Sequence, residues 1–332
     1  MSNDPIAPAS SAKDAFSGPI ACITLITNDA EATRRFYCEL LGMQELDNSS
    51  PPETDLAARL WGLPDDYSCS EMLLGRPSTP GHPALRVLVS DHAAPSVRPD
   101  YAARLEGGLS VGFAMRDIDA VVERGARLGF RTTAGVGALD MQRADETAYQ
   151  VFECHFTAPD DVYALGVQRP PDLAAIGPIA DGEQVGGPAY TGQVMNHRQQ
   201  TLAFYTEVLG YEVRRRMTVA GPLVEQGLGL PAGTSFEFLQ VFAPGSSSGY
   251  FIVLDFGDAG LANECIAPPC RGIVLWTFPV RSADTVAAAA APAGCEIIAG
   301  PLDCESTLFG RHRAVSVRTA NGFIVECVEY RG

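Results

Sequence analysis

Two side chains suited to proton transfer lie two residues apart in a segment that has the pattern of a β-strand. They are Glu153 and His155, within residues 149–156. Because successive side chains of a strand alternate between its two faces, both residues project from the same face. A carboxylate beside an imidazole suits general acid–base catalysis. The structural alternative is that His155 is an ordinary hydrogen-bonded residue of a sheet, or that this face meets solvent.

Two other catalytic signatures are missing from the sequence. It has no glycine-rich phosphate-binding loop, and none of its serines lies in the strand-to-helix turn of a nucleophile elbow. These features mark many nucleotide-binding proteins and the α/β-hydrolases, respectively. The sequence therefore favours neither class.

The elements that must position the acid–base pair follow an internal repeat. The run from Phe36 to Gly42 returns from Phe204 to Gly210, with Phe, Tyr, Glu, Leu and Gly in register. In each copy an apolar strand and a short turn precede a helix that ends at the glycine. A repeat separated by 168 residues (Phe36 to Phe204) is too long for a solenoid period and indicates a duplicated domain.

Each half of the chain has the pattern of two units, and each unit is one strand, one helix and three strands. The four units begin near residues 20, 109, 190 and 272. A segment rich in proline and glycine separates the halves. The sequence thus predicts a flexible tail at 1–18, a first domain at 19–169, a linker at 170–188 and a second domain at 189–332. It leaves open whether the units pair within each half or across the linker.

The composition is that of a globular protein with a surplus of acidic residues. Of the 332 residues, 46% are hydrophobic and 19% are charged, and the formal net charge is −16. The negative charge argues against nucleic acid and anionic membranes as partners, and no apolar run is long enough to span a bilayer. Nine cysteines without a Cys-x-x-Cys pair suggest reduced thiols in a cytoplasm. We therefore expect a cytoplasmic protein that binds a small molecule, with a homodimer left open.

Four copies of a β-α-β-β-β unit resemble the vicinal oxygen chelate superfamily. The Phe-Tyr-x-Glu-x-Leu-Gly motif of units one and three and the final run from Asn321 to Glu326 carry the resemblance, which covers about residues 18–331. This superfamily includes glyoxalase I, the bleomycin-resistance proteins and the extradiol dioxygenases. The resemblance implies an α+β fold in which four βαβββ modules pair into two open, curved, eight-stranded sheets, each around a cavity.

The resemblance also implies where a metal ion would bind. Catalytic members hold a divalent metal through a His or Glu in the first strand of each unit and a Glu in the last strand. Counted from the turn before each helix, the first-strand positions hold Cys22, Ser110, Tyr190 and Leu275, and the last-strand positions of units two and four hold Leu165 and Glu326. A carboxylate with a phenol is a poor divalent site, because the phenol ionises only near pH ~10. We therefore expect no cofactor and disfavour a metal; Glu326 is the ligand if one binds.

Without a metal, the resemblance leaves two candidate sites. In the second domain Glu326 is the expected acid or base, with Arg318 or Tyr190 stabilising an oxyanion. A plain ion pair between Arg318 and Glu326 is the structural alternative. The competing site is the first cavity, with Glu153 and His155. Residues expected around these sites are Trp276, Leu275, Ser316 and His312 for the second cavity, and Cys22 and Tyr163 for the first.

The sequence thus predicts an enzyme of lyase or isomerase type that acts on a small organic molecule with an apolar or aromatic body and an oxygen function. One alternative is a metal-dependent relative, either glyoxalase-like or a ring-cleaving dioxygenase. The other is a resistance-type protein that sequesters its ligand without reaction.

Overall fold

The computed structural model describes residues 16–48, 54–64, 66–79, 81–142, 147–196 and 198–331. Sixteen strands and six α-helices lie in these ranges. The strands are β1 (Cys22–Thr27), β2 (Gln44–Glu45), β3 (Ser70–Gly75), β4 (Ala84–Val89), β5 (Gly107–Met115), β6 (Thr132–Gln142), β7 (Ala148–Thr157), β8 (Tyr163–Gln168), β9 (Val185–Val194), β10 (Glu212–Ala220), β11 (Ser235–Phe242), β12 (Tyr250–Asp255), β13 (Gly272–Pro279), β14 (Glu296–Ser306), β15 (Gly310–Arg318) and β16 (Ile324–Tyr330). The helices are α1 (Ala30–Arg34), α2 (Thr54–Trp61), α3 (Ile118–Arg127), α4 (Arg198–Ala203), α5 (Pro222–Gly227) and α6 (Ala283–Ala290).

These elements form the four predicted units. Each unit opens with a strand and a helix and continues with three strands, so the predicted α+β fold of four βαβββ modules is confirmed. In units one and three the helix continues into a π-helical turn, at Arg35–Leu40 and Phe204–Val208. The same two units carry an additional helix, α2 or α5, between their second and third strands.

The units pair across the two halves of the chain. One sheet, called the first sheet here, joins units one and four in the order β14-β15-β16-β13-β1-β4-β3-β2. The second sheet joins units two and three in the order β10-β11-β12-β9-β5-β8-β7-β6. Each seam is an antiparallel pair of first strands, β1 with β13 and β5 with β9. The question left open by the sequence is thus answered: the predicted boundaries at 19–169 and 189–332 separate consecutive pairs of units, but they do not separate the sheets.

A shared apolar core holds the two sheets together on the face that carries α1, α3, α4 and α6; α2 and α5 lie on the opposite face. The Phe36 ring meets Phe130 and Phe156 edge-on, with centroids 5.0 and 6.1 Å apart, which joins units one and two. Tyr205 packs on Trp276 at 6.2 Å and so joins units three and four. The repeated Phe-Tyr motif therefore serves this core, and the opposite face of each sheet is left to form a site.

The N-terminal segment and the linker are more ordered than predicted. Ser17 forms a β-bridge with Val280, and the Gly18 amide donates to the Pro279 carbonyl at 2.9 Å. Residues 16–18 therefore continue the antiparallel pairing of β1 with β13 beyond the ends of these strands. Residues 1–15 lie outside the described ranges. The predicted linker ends early because β9 begins at Val185 and pairs with β5.

Two of the cysteines are joined. Cys265 and Cys270 form a disulfide across a loop that brings their Cα atoms within 5.8 Å. The expectation of reduced thiols is therefore wrong for this pair, although seven cysteines are free. Among the described helices, none has the length and apolarity needed to cross a membrane.

The pairing across the halves predicts how fragments behave. We expect residues 16–169 and 184–331 not to fold as monomers when each is expressed alone, because β1 and β5 would each lose the strand paired at the seam. Co-expressed fragments should associate and unfold at a temperature near that of the intact chain, which is the control. Size-exclusion chromatography and circular dichroism test this. A monomeric 16–169 fragment with a cooperative unfolding transition would contradict it.

Candidate functional site

Four polar side chains meet at the centre of the first sheet, on the face opposite the shared core. Two come from first strands. Each of these lies five residues before the residue that caps the following helix, which is Asp29 for α1 and Ser282 for α6. The other two lie beside them on the parallel last strands, so units one and four contribute equivalent positions. The four are Thr24 and Arg86 in unit one and Thr277 and Glu326 in unit four.

The Glu326 carboxylate is fully engaged by its neighbours. Its Oε2 accepts hydrogen bonds from Arg86 Nη1 at 3.2 Å and from Thr277 Oγ1 at 2.6 Å, and its Oε1 accepts one from Trp61 Nε1 at 2.9 Å. Only 3% of Glu326 and 3% of Arg86 is exposed. The Arg86 guanidinium also lies 4.5 Å from the Trp61 ring centroid, a cation–π contact. This is a buried ion pair whose carboxylate is fully hydrogen-bonded, whereas Arg86 Nε has no hydrogen bond among the described residues and lies 3.9 Å from Glu71 Oε2.

Charge balance sets the protonation of this cluster. Burial by itself raises the pKa of Glu326, but Arg86 and the hydrogen bonds from Thr277 and Trp61 bring that pKa below its usual range. Burial also raises the pKa of the nearby Cys22 thiol to about 11, despite the opposing effect of Arg86. Glu326 is therefore a carboxylate and Cys22 a neutral thiol at neutral pH.

The partners predicted for Glu326 are wrong. Arg318 extends outward, with 40% of its side chain exposed, and forms an ion pair with Glu296 at 3.4 Å. Tyr190 lies in β9 of the second sheet. Trp276 faces the shared core rather than a cavity, because it alternates with the residues beside Glu326.

The other residues that the sequence predicted around Glu326 do surround it, in the first sheet. Leu275 is fully buried on the same face, and Ser316 lies directly opposite Glu326 in the sheet register. His312 is buried with its Nδ1 2.8 Å from a backbone carbonyl. Cys22, predicted for the first cavity, belongs here as well. Apolar side chains pack over all of them, including Leu60 and Trp61 of α2 and Phe309.

The second sheet has no polar side chains at the equivalent positions. In unit two, Gly112 lies five residues before Asp117, which caps α3. In unit three, Gly192 is the equivalent of Thr24 of unit one, because the repeat is offset by 168 residues. Their parallel-strand partners are Leu165 and Ile252. None of these four has a side-chain nitrogen or oxygen that could bind a metal ion.

The ring of Tyr190 occupies the space above Gly112. A Cβ atom added at Gly112 would lie 2.1 Å from a Tyr190 ring carbon, which is shorter than the distances between non-bonded carbon atoms in folded proteins. Tyr190 stacks on Tyr250, with centroids 5.1 Å apart and planes at 22°, and Tyr250 stacks on Phe242 at 4.2 Å and 18°. Glycine at position 112 is thus required by an aromatic column that forms one wall of a cavity.

The cavity lies on this face of the second sheet and has a volume of about 550 Å³, within the usual range of small-molecule sites. Helix α5 borders it. The run Leu-Gly-Leu-Pro at 228–231 matches Trp-Gly-Leu-Pro at 61–64, so Leu228 corresponds to Trp61 of unit one. The smaller leucine leaves room that tryptophan fills in the first sheet. Its apolar and aromatic lining includes Leu109, Met141, Tyr149, Val151, Leu165, Val167, Tyr190, Met217, Leu223, Leu228, Phe236, Phe238, Tyr250, Ile252 and Leu254.

Glu153 and His155 both line this cavity. His155 Nε2 lies 3.7 Å from Glu153 Oε2, and the His155 ring packs against Gly227 at the end of α5. Among the described residues, none forms a hydrogen bond with the buried His155 Nδ1. Tyr163 lies behind the pair, 6.4 Å from the His155 ring. Its hydroxyl is already used, because it donates to the Tyr101 carbonyl at 2.8 Å.

Sequence reasoning missed several polar residues of the cavity, namely Asp140, Arg169, Arg215, Thr218 and Gln240. Arg215 and Gln240 lie opposite each other on β10 and β11. Arg215 stands in a run of three arginines, which is typical of a solvent-exposed strand edge. The signal that could have singled it out is its alternation with Met217 and Val219, apolar residues that line the same cavity.

Residues 20–166 match the model of the Glyoxalase/Bleomycin resistance protein/Dioxygenase superfamily. Among curated proteins, no sequence matched the chain.

Solved structures show the same fold over nearly the whole chain. Glyoxalase I from Zea mays superposes with a TM-score of 0.59 at 12% identity, covering 94% of this chain and 92% of that one. A point variant of glyoxalase I from Zea mays gives a TM-score of 0.62 at 14% identity, covering 96% and 94%. At these identities the likeness shows the fold alone.

The buried ion pair predicts strong coupling between Arg86 and Glu326. We expect Arg86→Met to lower the free energy of unfolding by about 3–5 kcal/mol, because it leaves the buried Glu326 carboxylate without its cation. Glu326→Leu should cost somewhat less, because Arg86 keeps the more distant Glu71 carboxylate at 3.9 Å. The double variant should lose much less than the sum. Chemical denaturation measures all three, and additive losses would show that the residues act independently. The exposed pair Arg318–Glu296, mutated in the same way, is the control and should change stability by only ~0–1 kcal/mol.

The same pair predicts a pH effect. The pKa of Glu326 is lower in the folded than in the unfolded state, so its stabilisation is present above the unfolded-state value of ~4.3 and is lost as pH falls through the folded-state pKa. The stability difference between the wild type and Glu326→Leu should therefore shrink on acidification. A difference that does not change with pH would contradict this account.

The contact between Gly112 and Tyr190 predicts an overpacking cost. We expect Gly112→Ala to lower the free energy of unfolding by about 1–3 kcal/mol, because the added methyl group forces the Tyr190 ring out of its stack. In a Tyr190→Ala background the same change should cost much less. Thermal unfolding of the four proteins tests this; an equal cost in both backgrounds would show that the ring is not the obstacle.

Proposed function

From the premise that the chain carries a Glyoxalase/Bleomycin resistance protein/Dioxygenase superfamily domain at residues 20–166 and the superfamily fold over both halves, we propose that it is an enzyme acting on a small organic molecule. The reaction is proton transfer of lyase or isomerase type. It takes place in the cavity of the second sheet, formed by units two and three.

The observation that carries the proposal is an acid–base pair within an apolar cavity. Glu153 and His155 lie on one wall, 3.7 Å apart, among aliphatic and aromatic side chains. A ligand that fills the cavity would displace water from around the pair, which would strengthen the electrostatic effect of the polar groups inside. A ligand with an apolar or aromatic body fits this lining, and its acidic C–H group would face the pair.

The proposed proton path uses only residues of this chain. The pair Glu153–His155 takes a proton from one atom of the ligand and returns it at another, or to a leaving group. Burial and the nearby Glu153 carboxylate raise the pKa of Tyr190 well above its usual value, so the phenol stays protonated at neutral pH. Tyr190 is thus suited to donate a hydrogen bond to an oxygen of the ligand that gains negative charge.

We also propose that the reaction proceeds without the divalent metal that the resemblance implies. In the first sheet the residues do not suit a cation, because the Arg86 guanidinium already binds Glu326 at 3.2 Å. In the second sheet Gly112 and Leu165 have no donor atoms at two of the equivalent positions. A metal-dependent glyoxalase-like or ring-cleaving activity is accordingly less well supported.

Sequestration without reaction is the second candidate. It is favoured by the aromatic side chains of the lining, among them Tyr190, Tyr250 and Phe238, since a flat hydrophobic ligand could bind against them without any chemistry. A cytoplasmic location, the lack of nucleic-acid or membrane partners and a homodimer stay predictions from the sequence.

A hydrogen-exchange experiment separates reaction from sequestration. Carbonyl compounds that raise the unfolding temperature are incubated with the protein in D2O, and deuterium at carbon is followed by NMR. We expect exchange with the wild type and a ~10²–10⁴-fold loss in Glu153→Gln and His155→Gln, with the gain in unfolding temperature retained.

The control for this experiment is Glu123→Gln, an exposed carboxylate on α3, which should exchange like the wild type. Ligands that bind without any exchange in the wild type would favour sequestration. Full exchange in both cavity variants would show that the pair does not carry the proton.

A further inference from the structure

One of the two arginines that line the cavity, Arg215, has no ion-pair partner among the described residues. Arg215 lines the cavity and is only 8% exposed. Its Nε is buried without a hydrogen bond, and among the described residues no carboxylate forms an ion pair with its guanidinium. Burying a charge without a partner is costly, so the folded chain holds a positive group that a negatively charged ligand would satisfy.

The local backbone accounts for the orientation of Arg215. The pairing of β10 with β11 has an irregularity between Val213 and Arg215, typical of a β-bulge. The preceding Arg214 is fully used outside the cavity, because it donates to the carbonyls of Ala243 and Ser246 at 3.0 and 2.6 Å. The following Arg216 is exposed. Three consecutive arginines thus have three different environments, and only Arg215 is directed to the cavity without a partner.

A second hydrogen-bonding group lies next to it. Gln240 is opposite Arg215 in the strand register and also lines the cavity. Beyond Gln240 along β11 come Phe238 and Phe236 on the same face, which extend an aromatic surface away from the polar end. The site therefore combines a planar cation and a neutral amide at one end with flat apolar walls.

We infer that the ligand of this cavity is an aromatic carboxylate whose acid group is bound by Arg215 and Gln240. A guanidinium binds a carboxylate through two parallel N–H···O bonds. The second arginine of the lining, Arg169, already donates to the Ala174 carbonyl at 3.1 Å. Arg215 with its neutral neighbour Gln240 therefore matches a single negative charge better than a phosphate dianion. This inference rests on the proposed use of the cavity and names the class of its substrate.

The position of Arg215 also restricts which atom of the ligand can react. In the second sheet β10 lies at one edge, whereas β7, which carries Glu153 and His155, lies near the other edge. The acid group and the proton-transfer pair are therefore on opposite walls of one cavity. A ligand held by Arg215 presents the far end of its aromatic body to Glu153 and His155, so the reacting atom is not adjacent to the carboxylate.

Matched acids and amides test the inference on the intact chain. The probes are benzoate with benzamide, 2-naphthoate with 2-naphthamide and biphenyl-4-carboxylate with its amide, measured by calorimetry at neutral pH. We expect at least one acid to bind tenfold or more tightly than its amide. Arg215→Met should remove that preference and leave binding of the amide unchanged, because it removes the charge and keeps the apolar stem.

Two controls exclude a merely structural effect. Arg216→Met, the exposed neighbour, should keep the preference for the acid. Arg215→Met should not lower the unfolding temperature of the unliganded protein, because the variant no longer buries an unpaired charge. A large loss of stability in this variant would mean that the guanidinium is structural, which overturns the inference.

The outcomes separate this inference from the proposed function. Equal binding of acid and amide, unaffected by Arg215→Met, overturns the carboxylate assignment and leaves the cavity as a small-molecule site. Tighter binding of 2-naphthyl phosphate than of 2-naphthoate overturns it in favour of a phosphate ester. Binding of none of the probes counts against the cavity as the ligand site, and so against both proposals.

Discussion

The antiparallel pairing of first strands at the two seams is the interaction on which the rest of the structure depends. β1 pairs with β13 and β5 with β9, so each sheet is complete only when distant parts of the chain meet. The ladder bonds at the seams satisfy backbone groups that would otherwise be buried without partners. The same pairing places residues from two units on each inner face, which is why Arg86 can reach Glu326 and why His155 and Arg215 line one cavity.

The two sheets have the same strand arrangement, but the faces opposite the shared core differ. At the centre of the first sheet, Arg86 and Glu326 bind each other beneath Trp61, and the face is filled. At the centre of the second, glycine and aliphatic residues replace the polar ones, Leu228 replaces the tryptophan, and a cavity results. In this duplicated fold, one inner face is thus filled by a buried ion pair and the other encloses a cavity.

Local features of the fold could be predicted from the sequence, and contacts between distant residues could not. The Phe-Tyr motif and the glycine after each helix mark the four units, because they depend on neighbours along the chain. Nothing in the apolar segment around Arg86 indicates a carboxylate 240 residues away. Glu153 and His155 were recognised because strand alternation is local, whereas the exposure of Arg318 and the position of Tyr190 in the other sheet depend on how the units pair.

The close contact between Gly112 and Tyr190 constrains the order in which this cavity can change during evolution. Any side chain at position 112 collides with the tyrosine ring, so a metal-binding histidine there is accessible only after Tyr190 has been replaced by a smaller residue. That first replacement leaves a gap beside Tyr250 and brings no new chemistry. Each of the two substitutions is unfavourable alone. Single substitutions therefore do not readily replace the present aromatic wall with a metal-binding residue at position 112.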